Sequence, residues 1–257
     1  MNGFKTLKFE KRKGIAHVTL NRPKELNAYN IQMRDDLYVV LSAIRDDDEI
    51  RAVIFKGAGE KAFCAGADLT EFLSAPSPTI ARQVRWGRDV WGLFLSIPQP
   101  LIAALHGYVL GSGIEIALCC DIRIASEDAR FGLPEVGLGI IPAAGGTQTL
   151  PRTVSRGKAL EMLLTNRWID AREAYEFHLV NRVVSREKLL PAARAMAEKI
   201  AAYDPVVVRY AKQAVIRGLD YPLSEGLHLE KTLASQVQTL AVKNGQGRKK
   251  NSCKKGS

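Results

Sequence analysis

At 257 residues, with 46% hydrophobic and 25% charged residues, the chain has the composition of an ordinary soluble globular protein able to bury its own core. Its net charge of +10 is unevenly placed: Lys243, Arg248, Lys249, Lys250, Lys254 and Lys255 supply six charges with no acid, leaving +4 on the preceding 242 residues. Cys64, Cys119, Cys120 and Cys253 are scattered without C-x-x-C spacing, which argues against a disulfide scaffold or a zinc site and for reduced thiols in the cytoplasm.

Met1 to Arg12 is polar and basic without an apolar stretch, so no signal peptide is expected. Leu7–Glu10 and Ile15–Leu20 read as paired strands around Lys11-Arg12-Lys13-Gly14. Met33, Leu37, Val40, Leu41 and Ile44 fall at helical spacing over 31–45. A short buried strand over 51–56 ends at Gly57-Ala58-Gly59. A helix follows over 80–96, where Arg82, Arg85, Trp86 and Trp91 are read as core and surface residues, with lining or roofing a pocket as the alternative. Next come a strand over 101–105, a helix over 113–120 and a strand over 122–125. Residues 90–114 lack formal charge over a length that could span a bilayer. Pro98-Gln99-Pro100 and Gly107, Gly111 and Gly113 break that run, so no membrane span is expected. Helices are expected at 155–164, 171–177, 187–202, 205–218 and 222–241. Strands alternating with helices indicate an α/β core, in loose strand–strand–helix repeats, with a helical C-terminal part.

Three segments carry candidate chemistry. In Gly111-Ser112-Gly113-Ile114-Glu115 a buried strand turns into a helix, and glycines with free first-turn N–H groups offer an anion site. Ser112-x-x-Glu115 equally fits a capping box, with Glu115 folded back on its own helix. In Phe131-Gly132-Leu133-Pro134-Glu135 the acid stands among apolar residues, where desolvation would raise its pKa as a proton donor to carbon requires. The alternative is a glutamate facing solvent. The loop Phe63-Cys64-Ala65-Gly66-Ala67-Asp68-Leu69 leaves backbone groups unshielded, and no Gly-Lys-Ser/Thr follows to make a phosphate loop. Paired carboxylates beside an anion site suit chemistry that makes and reprotonates an enolate. His17, His106 and His228 are read as packing or surface residues.

Together with Asn21-Arg22-Pro23, Asn27-Ala28 and Pro142-Ala143-Ala144-Gly145-Gly146-Thr147-Gln148, these segments resemble the crotonase superfamily, the enoyl-CoA hydratases/isomerases, to about residue 240. The resemblance implies an α/β spiral of ββα repeats over 1–190 and a C-terminal helical trimerisation region over 191–242. A basic tail over 243–257, read from composition as unstructured, follows. The resemblance implies a homotrimer or dimer of trimers, and acyl-CoA as ligand, with coenzyme A part of the substrate and no separate cofactor. It places the two oxyanion-hole N–H groups on Ala67 and Ser112, and the CoA and pantetheine contacts along Lys24, Leu26, Ala65, Gly66, Asp68, Leu69 and Gly111. Both glutamates are present, as in the hydratases, which implies syn hydration of a trans-2-enoyl-CoA by Glu115 and Glu135. An isomerase, a dehydratase of carnitinyl-like or cyclic thioesters, and a non-catalytic acyl-CoA- or RNA-binding relative are the alternatives. The tail has no interleaved aromatics to stack on bases, so nucleic acid is not an expected partner. Three departures stand out: Ser112 and His178 occupy positions where the family usually has glycine, and the tail lacks an aromatic. His178 is therefore expected to take a left-handed backbone.

Overall fold

A computed structural model describes residues 3–72 and 88–252, with side chains omitted at Phe72 and over 241–252. The chain divides into two compact units, Met1–Ala201 and Ala202–Ser257.

The first unit is built on two sheets. The larger has the order β1 (Leu7–Arg12), β2 (Ile15–Leu20), β3 (Ala52–Gly57), β5 (Leu101–Leu105), β7 (Ile122–Ser126) and β10 (Arg182–Val184). The smaller contains β4 (Ala62–Cys64), β6 (Tyr108–Leu110), β8 (Arg130–Gly132) and β9 (Ile169–Asp170). β1 and β2 form an antiparallel hairpin with Leu7 opposite Leu20. Its turn is made by Lys13 and Gly14, both at positive φ. From β3 to β8 the chain repeats one motion: a strand in the large sheet, then a three-residue strand in the small one. β3, β5 and β7 pair in parallel, and so do β4, β6 and β8. β5 is buried at every residue, as the continuous apolar run of a parallel strand covered on both faces requires. At the corner between β5 and β6, Gly107 has φ +53 and its Cβ position is occupied by the Lys61 carbonyl of the preceding turn. Successive turns of the spiral therefore meet backbone to backbone.

Helix α1 (Ile31–Asp46) is capped by Asn30, whose Oδ1 accepts the Met33 N–H at 2.8 Å. Its stripe Met33, Leu37, Val40, Leu41 and Ile44 lies in the main core with Val53, Phe55 and Phe94. The buried Asp36 on the same helix accepts the Thr6 N–H (2.9 Å) and hydroxyl (2.7 Å), tying down the N-terminal segment. The helices that follow are α2 (Leu69–Phe72), α3 (Val90–Ser96), α4 (Ser112–Leu118), α5 (Gly146–Thr153), α6 (Arg156–Thr165), α7 (Ala171–Glu176) and α8 (Leu189–Ala201). The expected helix over 80–96 is seen as α3; its earlier part, with Arg82, Arg85 and Trp86, lies outside the described residues.

Two boundaries differ from the sequence expectation. α8 belongs to the first unit, because Leu189, Ala193 and Ala197 close a second core over Ile15, Ile54, Ile102 and Ile124 on the sheet's other face. The division therefore falls after residue 201 instead of 190. The second unit is a helical hairpin of α9 (Pro205–Gly218) and α10 (Leu223–Ser252). The backbone of α10 continues through Ser252, so most of the basic segment is helical and not unstructured, while residues 253–257 lie outside the description. Among the described residues no helix is long and apolar enough to cross a membrane.

His178 has φ 62, the left-handed conformation expected where a glycine ordinarily stands. It follows the end of α7, with the N–H groups of Leu179 and Val180 both returning to Ala174 O. The buried Arg123 fixes the same corner, donating through Nε to Leu179 O and through Nη1 to Cys120 O, each at 2.6 Å. A Cβ in this conformation costs about 1–2 kcal/mol. His178→Gly is therefore expected to raise thermal stability, by about 2–4 °C per kcal/mol gained, measured by calorimetric unfolding.

Candidate functional site

Three stretches of main chain meet around Gly111. The first follows β4. Tyr29 N–H donates to Gly66 O and Asp68 N–H donates to Tyr29 O, both at 2.8 Å, forming an isolated parallel bridge centred on Ala67. In such a bridge the flanking groups do the bonding, and the Ala67 N–H faces away from Tyr29. The second stretch follows β6. Gly111 adopts φ 48 and ψ −121, and its N–H donates to Gly132 O at 2.9 Å. Ser112 then opens α4 as a buried residue, with a first-turn N–H that the helix itself cannot satisfy.

The two stretches are in contact. A Cβ on Gly111 would lie 3.4 Å from Gly66 Cα, and one on Gly66 would lie 3.4 Å from Leu110 O. Gly113 packs as tightly, its Cβ position filled by Cys64 O at the end of β4. Gly113 is required because backbone fills its Cβ position, whereas Gly66 and Gly111 are favoured by their positive φ of 110 and 48.

The third stretch carries Glu135. Its Oε1 lies 2.8 Å from the position a Gly111 Cβ would take. Its Oε2 is buried with no hydrogen-bond partner among the described residues. Burial raises its pKa above the usual carboxylate value, opposed only by a bond from its own main-chain N–H. Glu135 does not face open solvent, and the sequence expectation of a desolvated acid holds.

Glu115 sits at 3% exposure one turn into α4, where its N–H donates to Gly111 O at 3.1 Å. The capping-box alternative does not describe it, since α4 begins at Gly111 without a side-chain cap. Its Oε1 accepts instead from Ala144 N–H (3.0 Å) and Gly146 N–H (2.9 Å), at the N-terminal end of α5. That helix end favours a negative charge. A Cβ at Gly146 would come within 3.0 Å of the same oxygen. The role of Gly145-Gly146 as the seat of Glu115 was missed from sequence; the glycine pair itself was the only local signal.

Lys24 and Leu26 lie beside Ala65–Leu69, joined by the Ala65 N–H to Leu26 O bond at 3.1 Å. Lys24 and Leu69 are exposed. Asp68 is already engaged within the protein: it accepts from Thr70 Oγ1 at 2.6 Å and pairs with Arg22 at 2.8 Å. These two partners, the Thr70 hydroxyl foremost, hold its pKa below the usual value. The sequence reading also missed Arg22 and Asn27 as braces. Asn27 is fully buried at φ 56, accepting from Arg22 N–H and donating to Ala58 O and Ala62 O, each at 2.9 Å. Arg22 adds a bond to Ala28 O at 2.5 Å. Together they lock the 22–29 segment to the glycine loop. His106 is buried and His228 exposed.

The model of the family described as enoyl-CoA hydratase/isomerase matches residues 10–251. A putative enoyl-CoA hydratase/isomerase of Bacillus subtilis is 45% identical, over 91% of this chain and 89% of its own length. A short-chain-enoyl-CoA hydratase of Clostridium acetobutylicum is 44% identical, over 86% of this chain and 85% of its own. The crystal structure of an enoyl-CoA hydratase from Bacillus anthracis matches with a TM-score of 0.89 at 38% identity, covering 96% of this chain and 97% of that one.

Two outcomes follow from this geometry. Gly111→Ala is expected to abolish measurable turnover, and to destabilise the fold by about 1–3 kcal/mol, read by activity assay and denaturant unfolding. Glu135→Gln is expected to melt above the parent protein at pH 7–8. A carboxyl whose folded pKa is raised loses stability as pH rises through that value, and the glutamine does not ionise. The difference should vanish below the unfolded carboxylate pKa of about 4.3.

Proposed function

The chain belongs to the enoyl-CoA hydratase/isomerase family, and we propose that it adds water syn across the 2,3 double bond of a trans-2-enoyl-CoA, reversibly giving the 3-hydroxyacyl-CoA. One observation carries this reading: the Glu135 carboxylate lies against Gly111, the residue before Ser112 at the start of α4, while Glu115 stands one turn further along that helix. In the proposed reaction the thioester oxygen is held by the N–H groups of Ala67 and Ser112. As water attacks Cβ, negative charge moves onto that oxygen, where one well-placed donor is worth about 3 kcal/mol. Glu115 draws a proton from the water as its oxygen bonds to Cβ. Glu135 delivers a proton to Cα, which the raised pKa of a desolvated acid favours, and the proton taken up by Glu115 then returns to Glu135 by way of solvent, restoring both acids. Coenzyme A enters as part of the substrate along Lys24, Leu26, Ala65, Gly66, Asp68 and Leu69, and no separate cofactor takes part.

The same reading makes the chain a cytoplasmic protein that assembles as a trimer or dimer of trimers. The buried free thiols of Cys64, Cys119 and Cys120 support the compartment. Exposed Val215, Leu219 and Leu223 on the helical hairpin support the assembly.

One observation favours a second reading, an isomerase that moves the double bond with Glu135 alone. Glu115 Oε1 is already held by two main-chain donors, as a purely structural acid would be. Loss of the conjugated thioester absorbance of crotonyl-CoA separates the two. Under the hydratase reading, Glu115→Gln and Glu135→Gln each slow hydration by about 10²–10⁴-fold. Full hydration activity in Glu115→Gln would sink the two-acid mechanism and leave the single-acid one.

A further inference from the structure

β9 runs antiparallel to β8, with Phe131 opposite Ile169 and Arg130 opposite Asp170. Continuing that register by one residue sets Trp168 across from Gly132. A side chain at Gly132 has no room there: its Cβ would fall 2.5 Å from Trp168 Cδ1 and 2.9 Å from Nε1. The arrangement recurs two residues beyond Glu135. The Cβ position of Gly137 is filled by Asn166 Nδ2, and Asn166 itself ends α6 at φ 59. The glycines on either side of Glu135 are thus both occupied by side chains of one short segment, 166–168.

That segment is itself fixed. Arg167 pairs with Glu161 at 3.1 Å and with Glu173. The Trp168 ring meets Tyr108 edge-on at a centroid distance of 6.0 Å. Gly132 is held from its other side too, its carbonyl accepting the Gly111 N–H. Gly132 therefore links the Trp168 ring to the backbone turn over which the Glu135 carboxylate lies.

We propose that Trp168, assisted by Asn166, is a positioning residue for Glu135: the indole and the carboxamide seat the loop over residues 132–138 so that the acid is held above Gly111. The proposal rests on the hydratase reading, in which Glu135 delivers the proton. Trp168 touches main chain and acts through the loop. It is 45% exposed, so its truncation removes less buried area than loss of a core aromatic.

The test compares Trp168→Ala, Trp168→Phe and Asn166→Gly in the native chain and in a Glu135→Gln background, with crotonyl-CoA as substrate. Trp168→Ala is expected to lower kcat about 10–100-fold while KM changes by less than about twofold, the signature of a displaced reacting group. Trp168→Phe should keep most of the rate. Asn166→Gly, which suits the left-handed backbone, should show a smaller loss in the same direction even if Trp168→Ala fails to fold. In the Glu135→Gln background each substitution should cost less than about twofold, because the group they position is gone. Equal cost in both backgrounds would overturn the positioning role and leave the hydratase reading intact. Full activity of Glu135→Gln alone would instead overturn the hydratase assignment, and the positioning role with it.

Discussion

At Gly111 a positive φ and the Glu135 carboxylate together exclude a side chain: Glu135 Oε1 stands 2.8 Å from where a Cβ would be. Gly66 lies on another side at van der Waals contact, and the helix carrying Ser112 and Glu115 continues from Gly111. The proposed chemistry hangs on that approach. Backbone N–H groups are weak recognition elements when hydrated and strong ones when gathered in a dry cleft. In the proposed site, the close approach of Gly66, Gly111 and Gly113 to their neighbours is what would gather them, with the β4, β6 and β8 strands leading into it. The glycines of this region are contact surfaces between successive turns of the spiral.

The two acids are treated in opposite ways. Glu115 is enclosed at a helix start with donors on Oε1, so its place in the fold is fixed by hydrogen bonds. Glu135 is given a buried oxygen with no partner among the described residues. Leaving such an atom unsatisfied costs about 1–3 kcal/mol, a strain tolerated at functional positions and rarely elsewhere. The asymmetry separates an acid that is anchored from one that is poised. Bracing is dense nearby: Arg22 and Asn27 tie the 22–29 segment to Asp68, Ala58 and Ala62, and Trp168 and Asn166 fill the Cβ positions of Gly132 and Gly137.

Much of the fold was legible in sequence where the physics is local. The stripe from Met33 to Ile44, the apolar run at 101–105 and the hairpin over 7–20 each announce themselves by periodicity, and the motifs around Glu115 and Glu135 carry the family resemblance. The three-residue strands β4, β6 and β8 do not announce themselves, because three residues are too few to show an alternation. Nor does the bond between Glu115 and Gly146, which joins residues 31 apart in sequence. Ser112-x-x-Glu115 looked locally like a cap, and tertiary contact won over the local pattern. The boundary after residue 201 was hidden for the same reason: α8 is an amphipathic helix like its successors, and only the sheet face it covers assigns it to the first unit.

The weaving of the chain between two sheets has a kinetic corollary. The groups that meet at Gly111 come from separate turns, near residues 29, 66, 111, 135 and 146, and their pairings close loops of tens of residues. Long-range closures of this kind are entropically late events, and topologies dominated by them fold slowly. A nascent chain can have its hairpin, α1 and central strands in register before these loops meet. Until the chain past Gly146 has docked, the Glu115 carboxylate lacks its main-chain donors, and the surroundings of Gly111 are completed only by the last loops to close.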